Sequence, residues 1–221
     1  DWANGKPTIF IIGTGGTGGF TAMNLSRVGY NLHIWDFDKF DQTNLAGQLA
    51  RITSNNKPKV EEVKSICQSL SKDVSITTYN QAYDEMSMTN SIVISCADSM
   101  KVRKMAFEKW VSKLDSFKDQ PCLFIDTRML AMQYQVFTVT NDPKRIEAYR
   151  TYLFDDNDIP DVDCNSKATT FCGMLVGARV TSILANHLTN YIQKDEDMAV
   201  VPFLFGEELT QFNITRYEVK L

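Results

Sequence analysis

Glycines and an acid near the amino end of the chain form a pattern that could do chemistry. The apolar run Thr8–Ile12 leads into the string Gly13–Gly19 (GTGGTGG), and a helical pattern follows. Backbone N–H groups in such a turn can approach phosphate oxygens because glycine has no Cβ, and the dipole of the following helix favours negative charge. Asp36 ends the next apolar run, 23 residues after Gly13, where it can accept hydrogen bonds from ribose hydroxyls. We predict that phosphate is bound by Gly13, Gly15, Gly16 and Gly18.

A glycine turn also serves close packing of a helix on a strand, but the acid at the next strand end favours nucleotide binding. The turn and Asp36 do not separate NAD from ATP, because both classes of enzyme use them. The stretch after Asp36 does separate them. It holds polar side chains for which a dehydrogenase has no need, namely Asp38, Asn44, Gln48 and Lys59.

With these residues the sequence resembles the adenylating domain of the ubiquitin-activating-enzyme-like family, whose bacterial members include ThiF and MoeB. That family carries Gly-x-Gly-Gly-x-Gly, Asp-x-Asp, Asn-Leu-x-Arg-Gln, a lysine and Cys-x-Asp, and the resemblance covers nearly the whole chain. It implies ATP-dependent adenylation of the C-terminal carboxylate of a small ubiquitin-like or sulfur-carrier protein. In that reaction the carboxylate attacks the α-phosphorus of ATP and expels pyrophosphate.

The resemblance also implies residue roles, each with a structural alternative. Asp98 would hold Mg²⁺, or it caps the helix that follows it. Lys59 would contact the phosphates, or it is a solvated lysine at a helix start. Asn44 and Gln48 would face the triphosphate from one side of a helix, or they are surface polarity. Ala82, with its neighbours Asn80 and Gln81, aligns with the loop that contacts adenine.

Two departures from the family pattern concern catalytic charge. Gly47 stands where the family has an arginine, and we identify no N-terminal helix supplying the arginine that family dimers lend to the partner's site. Arg51, expected one turn beyond Gly47 on the same helix, is our candidate replacement, with a surface arginine as the alternative. Asp126 and Arg128 are also unusual, and they either face the incoming carboxylate tail or pair with each other.

Cys164 is a candidate nucleophile for a thioester. In family members that form one, the cysteine occupies this position, just before a long helix, and a helix N-terminus favours a thiolate. Cys172 is expected to pack in the core. The chain has five cysteines and no Cys-x-x-Cys, which favours reduced thiols and a cytoplasmic location over a zinc site or disulfides.

The elements that must position these residues read as an α/β fold. Apolar runs alternate with helical patterns, which predicts a Rossmann-like, mostly parallel sheet flanked by helices. Residues 133–140 alternate polar with apolar residues, so strands toward the C-terminus are expected to be antiparallel. A long helix is expected over about residues 169–193, followed by closing strands at 200–205 and 212–219. We predict one ThiF-type adenylation domain over residues 1–221, with a crossover loop at about 154–168.

Composition limits the partners. The net charge is −4 with no Lys/Arg block, which argues against a nucleic-acid partner. The apolar stretch at 168–178 is about half the ~20 residues that a bilayer needs, so no membrane span is expected. The family implies a homodimer. The alternatives to an adenylating enzyme are a nucleotide-binding scaffold or regulatory subunit that has lost adenylation and, on the glycine turn alone, an NAD-dependent oxidoreductase.

Overall fold

Eight strands pair into one mixed sheet in the computed structural model, which describes residues 7–155, 168–194 and 198–219. In chain order they are β1 (Ile9–Ile12), β2 (Leu32–Trp35), β3 (Ile76–Tyr79), β4 (Ile92–Ser95), β5 (Leu123–Leu130), β6 (Gln133–Val139), β7 (Leu204–Glu208) and β8 (Asn213–Tyr217). Their order across the sheet is β3-β2-β1-β4-β5-β6-β7-β8. Pairing is parallel from β3 to β5 and antiparallel from β5 to β8, which confirms the predicted fold class.

Five α-helices of the described segments cover the two faces of the sheet. They are α1 (Gly18–Arg27), α2 (Lys59–Leu70), α3 (Met100–Val111), α4 (Pro143–Arg150) and α5 (Thr170–Gln193). The apolar sides of α1, α2 and α5 pack on one face, in a cluster that includes Leu25, Val63 and Val176. Those of α3 and α4 pack on the other face, where Phe107, Trp110 and Tyr149 are fully buried. The parallel strands are apolar on both faces because helices or loops cover both.

The connections reverse direction between β1 and β4. From β1 the chain moves by way of α1 to β2 and then β3, whereas β4 lies on the other side of β1. Ligands of open α/β sheets bind at such a switch point, outside the carboxyl ends of the strands. Gly13, Asp36 and Cys96 are the residues that directly follow β1, β2 and β4.

Several elements differ from the sequence expectation. Helix α4 was not predicted, although Asp142 caps it by accepting from Lys144 N at 2.9 Å and Pro143 occupies its first position. Strand β7 begins at Leu204 rather than at residue 200. The sequence pattern predicts one helix from Met100 to Leu114, whereas α3 ends at Val111 and a separate 3₁₀ turn follows at Leu114–Phe117.

Helix α5 is long and apolar enough to span a membrane, judged by length and composition alone. Its Cys172, Val176 and Val180 are fully buried against the rest of the chain. The helix also packs on α1 and the antiparallel strands. Less than half of the most apolar part of α5 is buried in the fold, and Phe171, Met174 and Leu175 are exposed.

Candidate functional site

Two glycines of the turn are required by the fold itself. Gly13 has φ +89°, a backbone conformation that residues other than glycine rarely adopt. A Cβ at Gly13 would lie 2.8 Å from the Cys96 carbonyl oxygen, and one at Gly18 would overlap the Gly13 carbonyl. These contacts bring the first turn of α1 directly over the ends of β1 and β4.

Gly15 is different, because a Cβ at this position would meet no atom within 4 Å. Packing in the described structure therefore gives no reason for a glycine there. Its neighbour Gly16 has packed surroundings, since a Cβ on it would lie 2.6 Å from Met129 Cε and 3.0 Å from Ala168 Cβ. Within the described residues, the turn thus presents open space at the Cβ position of Gly15.

Asp36 is held against the turn by Thr14. The Thr14 N–H and hydroxyl both donate to Asp36 Oδ2, at 2.7 and 2.9 Å, and Asp38 N–H donates to Oδ1 at 2.9 Å. The carboxylate that sequence analysis assigned to ribose is therefore fixed beside the predicted phosphate turn. Oδ2 already accepts two hydrogen bonds, whereas Oδ1 accepts one and keeps a lone pair with which to accept from a ligand.

Lys59 is buried rather than solvated, with 7% of its surface exposed. It is the first residue of α2, and its ammonium donates to Asp38 Oδ2 at 3.0 Å. Asp38 is itself half-exposed, so the ion pair reaches the surface beside Asp36. The alternative of a solvated lysine is wrong in this structure, because a buried ammonium needs a partner such as Asp38.

The segment from Asn44 to Arg51 is not the single helix that we expected. A 3₁₀ turn covers Gln42–Ala46 and a second covers Ile52–Ser54. Asn44 closes a capping box with Asp41, and Gln48 lies beyond the end of the first turn. The two residues therefore do not share a continuous helical face. Within the described residues, Gln48 Oε1 is buried and has no hydrogen-bond partner.

Gly47, at the sequence position where the family has an arginine, is closely packed. A Cβ at Gly47 would lie 2.6 Å from the Ala168 carbonyl oxygen and 2.9 Å from Ala168 Cβ. The Gly47 carbonyl oxygen lies 3.6 Å from the corresponding Cβ position at Gly16. The start of α5, the glycine turn and the Gly47 segment therefore meet at one place.

Arg51 is not on a helix with Gly47, which corrects our expectation. It precedes the second 3₁₀ turn, and its guanidinium donates to Ser65 Oγ at 3.1 Å and lies 3.6 Å from Glu62. Both partners belong to α2. Arg51 thus ties the segment to α2, and its catalytic role stays a prediction.

Asp98 follows β4 and is exposed, two residues beyond the Cys96 carbonyl that touches Gly13. The helix cap is Ser99, whose Oγ accepts from Val102 N at 3.5 Å, so the alternative role of Asp98 as the cap is wrong. No group of three or more potential metal ligands occurs among the described residues. A cation here would therefore take most of its ligands from a bound phosphate, as Mg²⁺ does in nucleotide sites.

A buried charge cluster, which the sequence indicated only in part, lies beside the turn. Asp126 is fully buried and pairs with both Arg103 and Arg128, the latter through Nε at 2.8 Å. Asp126 and Arg128 therefore pair with each other, and Arg103 of α3 joins them. The Thr17 and Thr127 hydroxyls are 2.8 Å apart and connect the cluster's strand to the turn. The positions of Asp126, Thr127 and Arg128 along β5 bring their side chains together with those of Arg103 and Thr17. Only the structure shows this arrangement.

The other predicted site residues fall in three places. Ala82 is exposed in the connection after β3. Cys172 is fully buried in α5, and burial raises its thiol pKa to about 11, as expected of a core cysteine. Cys164 lies outside the described residues.

Comparisons with known proteins bear on the fold and the family of this chain. The ThiF family model matches residues 5–221. PaaA superposes with a TM-score of 0.73 at 16% identity, covering 97% of this chain and 64% of that one. MccB from E. coli gives a TM-score of 0.71 at 13% identity, covering 96% and 62%, and its structure with ATP gives 0.69 at 12%, covering 96% and 63%.

At such identities the neighbours establish the fold alone, and this chain spans less than two thirds of their length. No curated protein sequence matches the chain. The family model, however, matches nearly all of it. The chain therefore belongs to the ThiF family.

Proposed function

We propose that this protein binds Mg·ATP and adenylates the carboxylate of a small protein or peptide. The observation that carries the proposal is the open space in front of Gly15, in a turn whose other glycines are packed. A glycine that packing does not need is explained by a ligand that approaches the backbone closely, and a phosphate at a helix N-terminus is such a ligand.

The surrounding groups fit the parts of ATP. The turn and the Lys59 ammonium supply donors for phosphate oxygens, and Gln48 Oε1, which has no partner among the described residues, could accept from a hydroxyl or amine of a ligand. Asp36 is placed for the ribose, and Asp98 is an exposed carboxylate for Mg²⁺. A bound Mg²⁺ would neutralise phosphate charge as pyrophosphate leaves. The protein's own part is to position the phosphates and stabilise their charge.

The acceptor that we propose is the C-terminal carboxylate of a ubiquitin-like or sulfur-carrier protein, or of a peptide. A solved MccB structure contains MccA, and another contains ATP. A cleft of about 250 Å³ runs along the antiparallel strands beside Arg128 in this chain, and an extended tail would fit it. We further propose a thioester on Cys164 as a second step, a homodimer and a cytoplasmic location.

Thermal unfolding with and without ligand tests nucleotide binding. Mg·ATP at ~100 times its dissociation constant should add ~2.7 kcal/mol to the unfolding free energy and raise the melting temperature by ~5–11 °C. Asp98→Asn should lose the part of this gain that requires Mg²⁺ without losing stability, because its carboxylate is exposed. Stabilisation by NADH and not by Mg·ATP would contradict the proposal.

Exchange of labelled pyrophosphate into ATP tests the chemistry. Exchange should require an acceptor with a free C-terminal carboxylate and disappear when that carboxylate is amidated. Cys164→Ala should leave exchange intact and remove any thioester seen on a non-reducing gel. Loss of exchange in Cys164→Ala would contradict the order of the two steps.

A second candidate function is a nucleotide-binding scaffold or regulatory subunit without adenylation. Two observations favour this candidate. Ala168 packs on Gly47, so its backbone fills the position of the family arginine. The Arg51 guanidinium is hydrogen-bonded to Ser65 of α2. This candidate predicts binding of Mg·ATP without exchange for any acceptor. Exchange with even one acceptor would exclude it.

A further inference from the structure

The connection from β3 to β4 crosses the sheet without a helix, and we call residues 80–91 the strap. It begins at the carboxyl end of β3, beside Asp36, which directly follows β2, and ends at the amino end of β4. Its Tyr83 is buried with its ring edge-on to Trp35 at 5.6 Å, and the Tyr83 hydroxyl donates to the Met88 carbonyl at 3.0 Å. The strap therefore covers the face of β2 and starts at the nucleotide edge.

One ammonium group holds the strap from α3. Lys109 Nζ donates to three strap carbonyls, those of Asp84 at 2.9 Å, Glu85 at 2.6 Å and Ser87 at 2.7 Å. It also lies 5.3 Å from the centre of the Tyr83 ring. An ammonium has three donors and no acceptor, so this arrangement satisfies it completely. Burial lowers the pKa of Lys109, while nearby Asp84 and Glu85 act in the opposite direction.

The same helix carries the proposed metal ligand at its other end. Asp98 lies just before α3, at the carboxyl edge of the sheet, whereas Lys109 is in its last turn. The neighbouring Trp110 Nε1 donates to Ser91 O at 3.0 Å, where the strap enters β4. A rigid helix of 12 residues thus fixes the strap at one end while its other end meets the site.

We propose that Lys109 is a positioning residue for the nucleotide base. By holding Asp84, Glu85 and Ser87, it fixes the strap so that its first residues, Asn80–Ala82, stand beside the ribose acid Asp36. This inference rests on the proposed ATP-binding function and adds to it a residue at the far end of α3. Lys109 lies in the last turn of α3, at the opposite end of that helix from Asp98, so it should govern recognition of the adenosine part alone.

Binding of two ligands separates this role from a general structural one. Mg·ATP and Mg·tripolyphosphate share the phosphate contacts, and only ATP carries the base and ribose. Lys109→Met should weaken binding of Mg·ATP about tenfold, since each lost charge-assisted hydrogen bond contributes substantially. Binding of Mg·tripolyphosphate, measured by the same calorimetry, should change less than about twofold. Lys113→Met, which removes a nearby exposed lysine on the same face, should change neither.

Lys109→Arg gives a second reading if the methionine variant does not fold. A planar guanidinium cannot direct its donors to three carbonyls as an ammonium does, so ATP affinity should again fall while tripolyphosphate affinity stays. Equal losses for both ligands, or unchanged ATP affinity in a folded variant, would overturn the inference and leave the proposed function standing. A wild-type protein that binds neither ligand would overturn the proposed function, and this inference with it.

Discussion

The glycines in and near the turn differ in which atoms occupy the space where a side chain would lie. Backbone atoms occupy the space next to Gly13 and Gly18, so these two are needed for folding. Gly15 faces empty space and Gly47 faces the start of α5. The first is available to a ligand, and the second is closed to any larger side chain.

Restoring the family arginine at Gly47 should therefore harm this protein. Gly47→Ala already places a methyl 2.6 Å from the Ala168 carbonyl oxygen, and overpacking of this kind costs about 1–3 kcal/mol of unfolding free energy. Gly47→Arg should cost at least as much. Urea unfolding measures both variants.

Gly15→Ala is the matched control for this experiment. Its unfolding free energy should stay within about 0.5 kcal/mol of wild type, as is usual for a substitution in open space. If Gly47→Ala proved as stable as Gly15→Ala, the close approach of Ala168 to Gly47 would be refuted.

Contacts of two kinds join neighbouring helices and strands, namely close approaches that require glycine and ion pairs between buried side chains. Helix α5 lies on α1 where a Cβ at Gly177 would come within 2.7 Å of the Phe20 carbonyl oxygen, and Gly173 touches the Gly16 carbonyl in the same way. The two glycines therefore serve packing within the chain. Helix α3 is joined to β5 by charge instead, through Arg103 and the buried Asp126.

Asp126→Asn should destabilise the fold strongly. It removes the only acid of a buried cluster in the described residues and leaves Arg103 and Arg128 without a counter-charge. Breaking a buried pair from one side costs about 3–5 kcal/mol of unfolding free energy. Chemical unfolding followed by circular dichroism gives this value.

Glu108→Gln is the surface counterpart of that change. Glu108 pairs with Arg150 at 2.9 Å, with more than a third of each side chain exposed, and such pairs are worth less than about 1 kcal/mol. Similar losses in Asp126→Asn and Glu108→Gln would show that the Asp126 cluster is not a strong link between α3 and β5.

At the scale of the whole molecule, the sheet has two halves with different tasks. The parallel half carries the turn, Asp36 and Asp98 at one edge, and the antiparallel half extends the sheet to β8, all of whose residues are exposed. Helix α5 spans the junction, packing on α1 as well as on β5 and β6. The stability of α5 therefore concerns the entire fold.

His187 of α5 should make that stability depend on pH. Burial, with a smaller effect from Arg145, lowers its pKa to about 4. Because the folded pKa lies below the unfolded value of about 6.5, the contribution is complete above that pH. It is lost as pH falls from about 6.5 toward about 4, by at most about 1.4 kcal/mol per pH unit.

Unfolding free energies of wild type and His187→Gln, measured from pH 7 to pH 4, check this expectation. The wild-type curve should fall more steeply over that interval, and the difference between the two should shrink toward low pH. Parallel curves would mean that His187 titrates normally in the folded protein.

Sequence reasoning reached the parallel half because β1 and β4 are uninterrupted apolar runs, and because Gly13 and Asp36 directly follow β1 and β2. That Asp98 lies at the same edge of the sheet follows from the parallel pairing of β4 with β1. It missed α4, whose apolar face is short, although the pair Asp142-Pro143 was a usable start signal.

Other features depend on contacts between distant parts of the chain. The approach of Ala168 to Gly47 and the meeting of Arg103 with Asp126 follow from packing and register, which no local pattern encodes. The helix expected from Asn44 to Arg51 failed for a local reason. Asp41 forms a capping box with Asn44, which favours a short turn, and Gly47 ends it.

The ring cluster around Trp35 makes the protein its own optical reporter. Trp35 is the residue before Asp36. Its ring is stacked on that of Tyr79, with centroids 4.1 Å apart, and it also contacts the ring of Tyr83 in the strap. Its emission should respond when a base arrives beside Asp36, whereas Trp110 of α3 is fully buried and contacts the strap at Ser91, the end away from that site, so its signal should change less. With Trp2 replaced by phenylalanine, nucleotide titrations can be followed by fluorescence without any label, and Trp35→Phe supplies the blank.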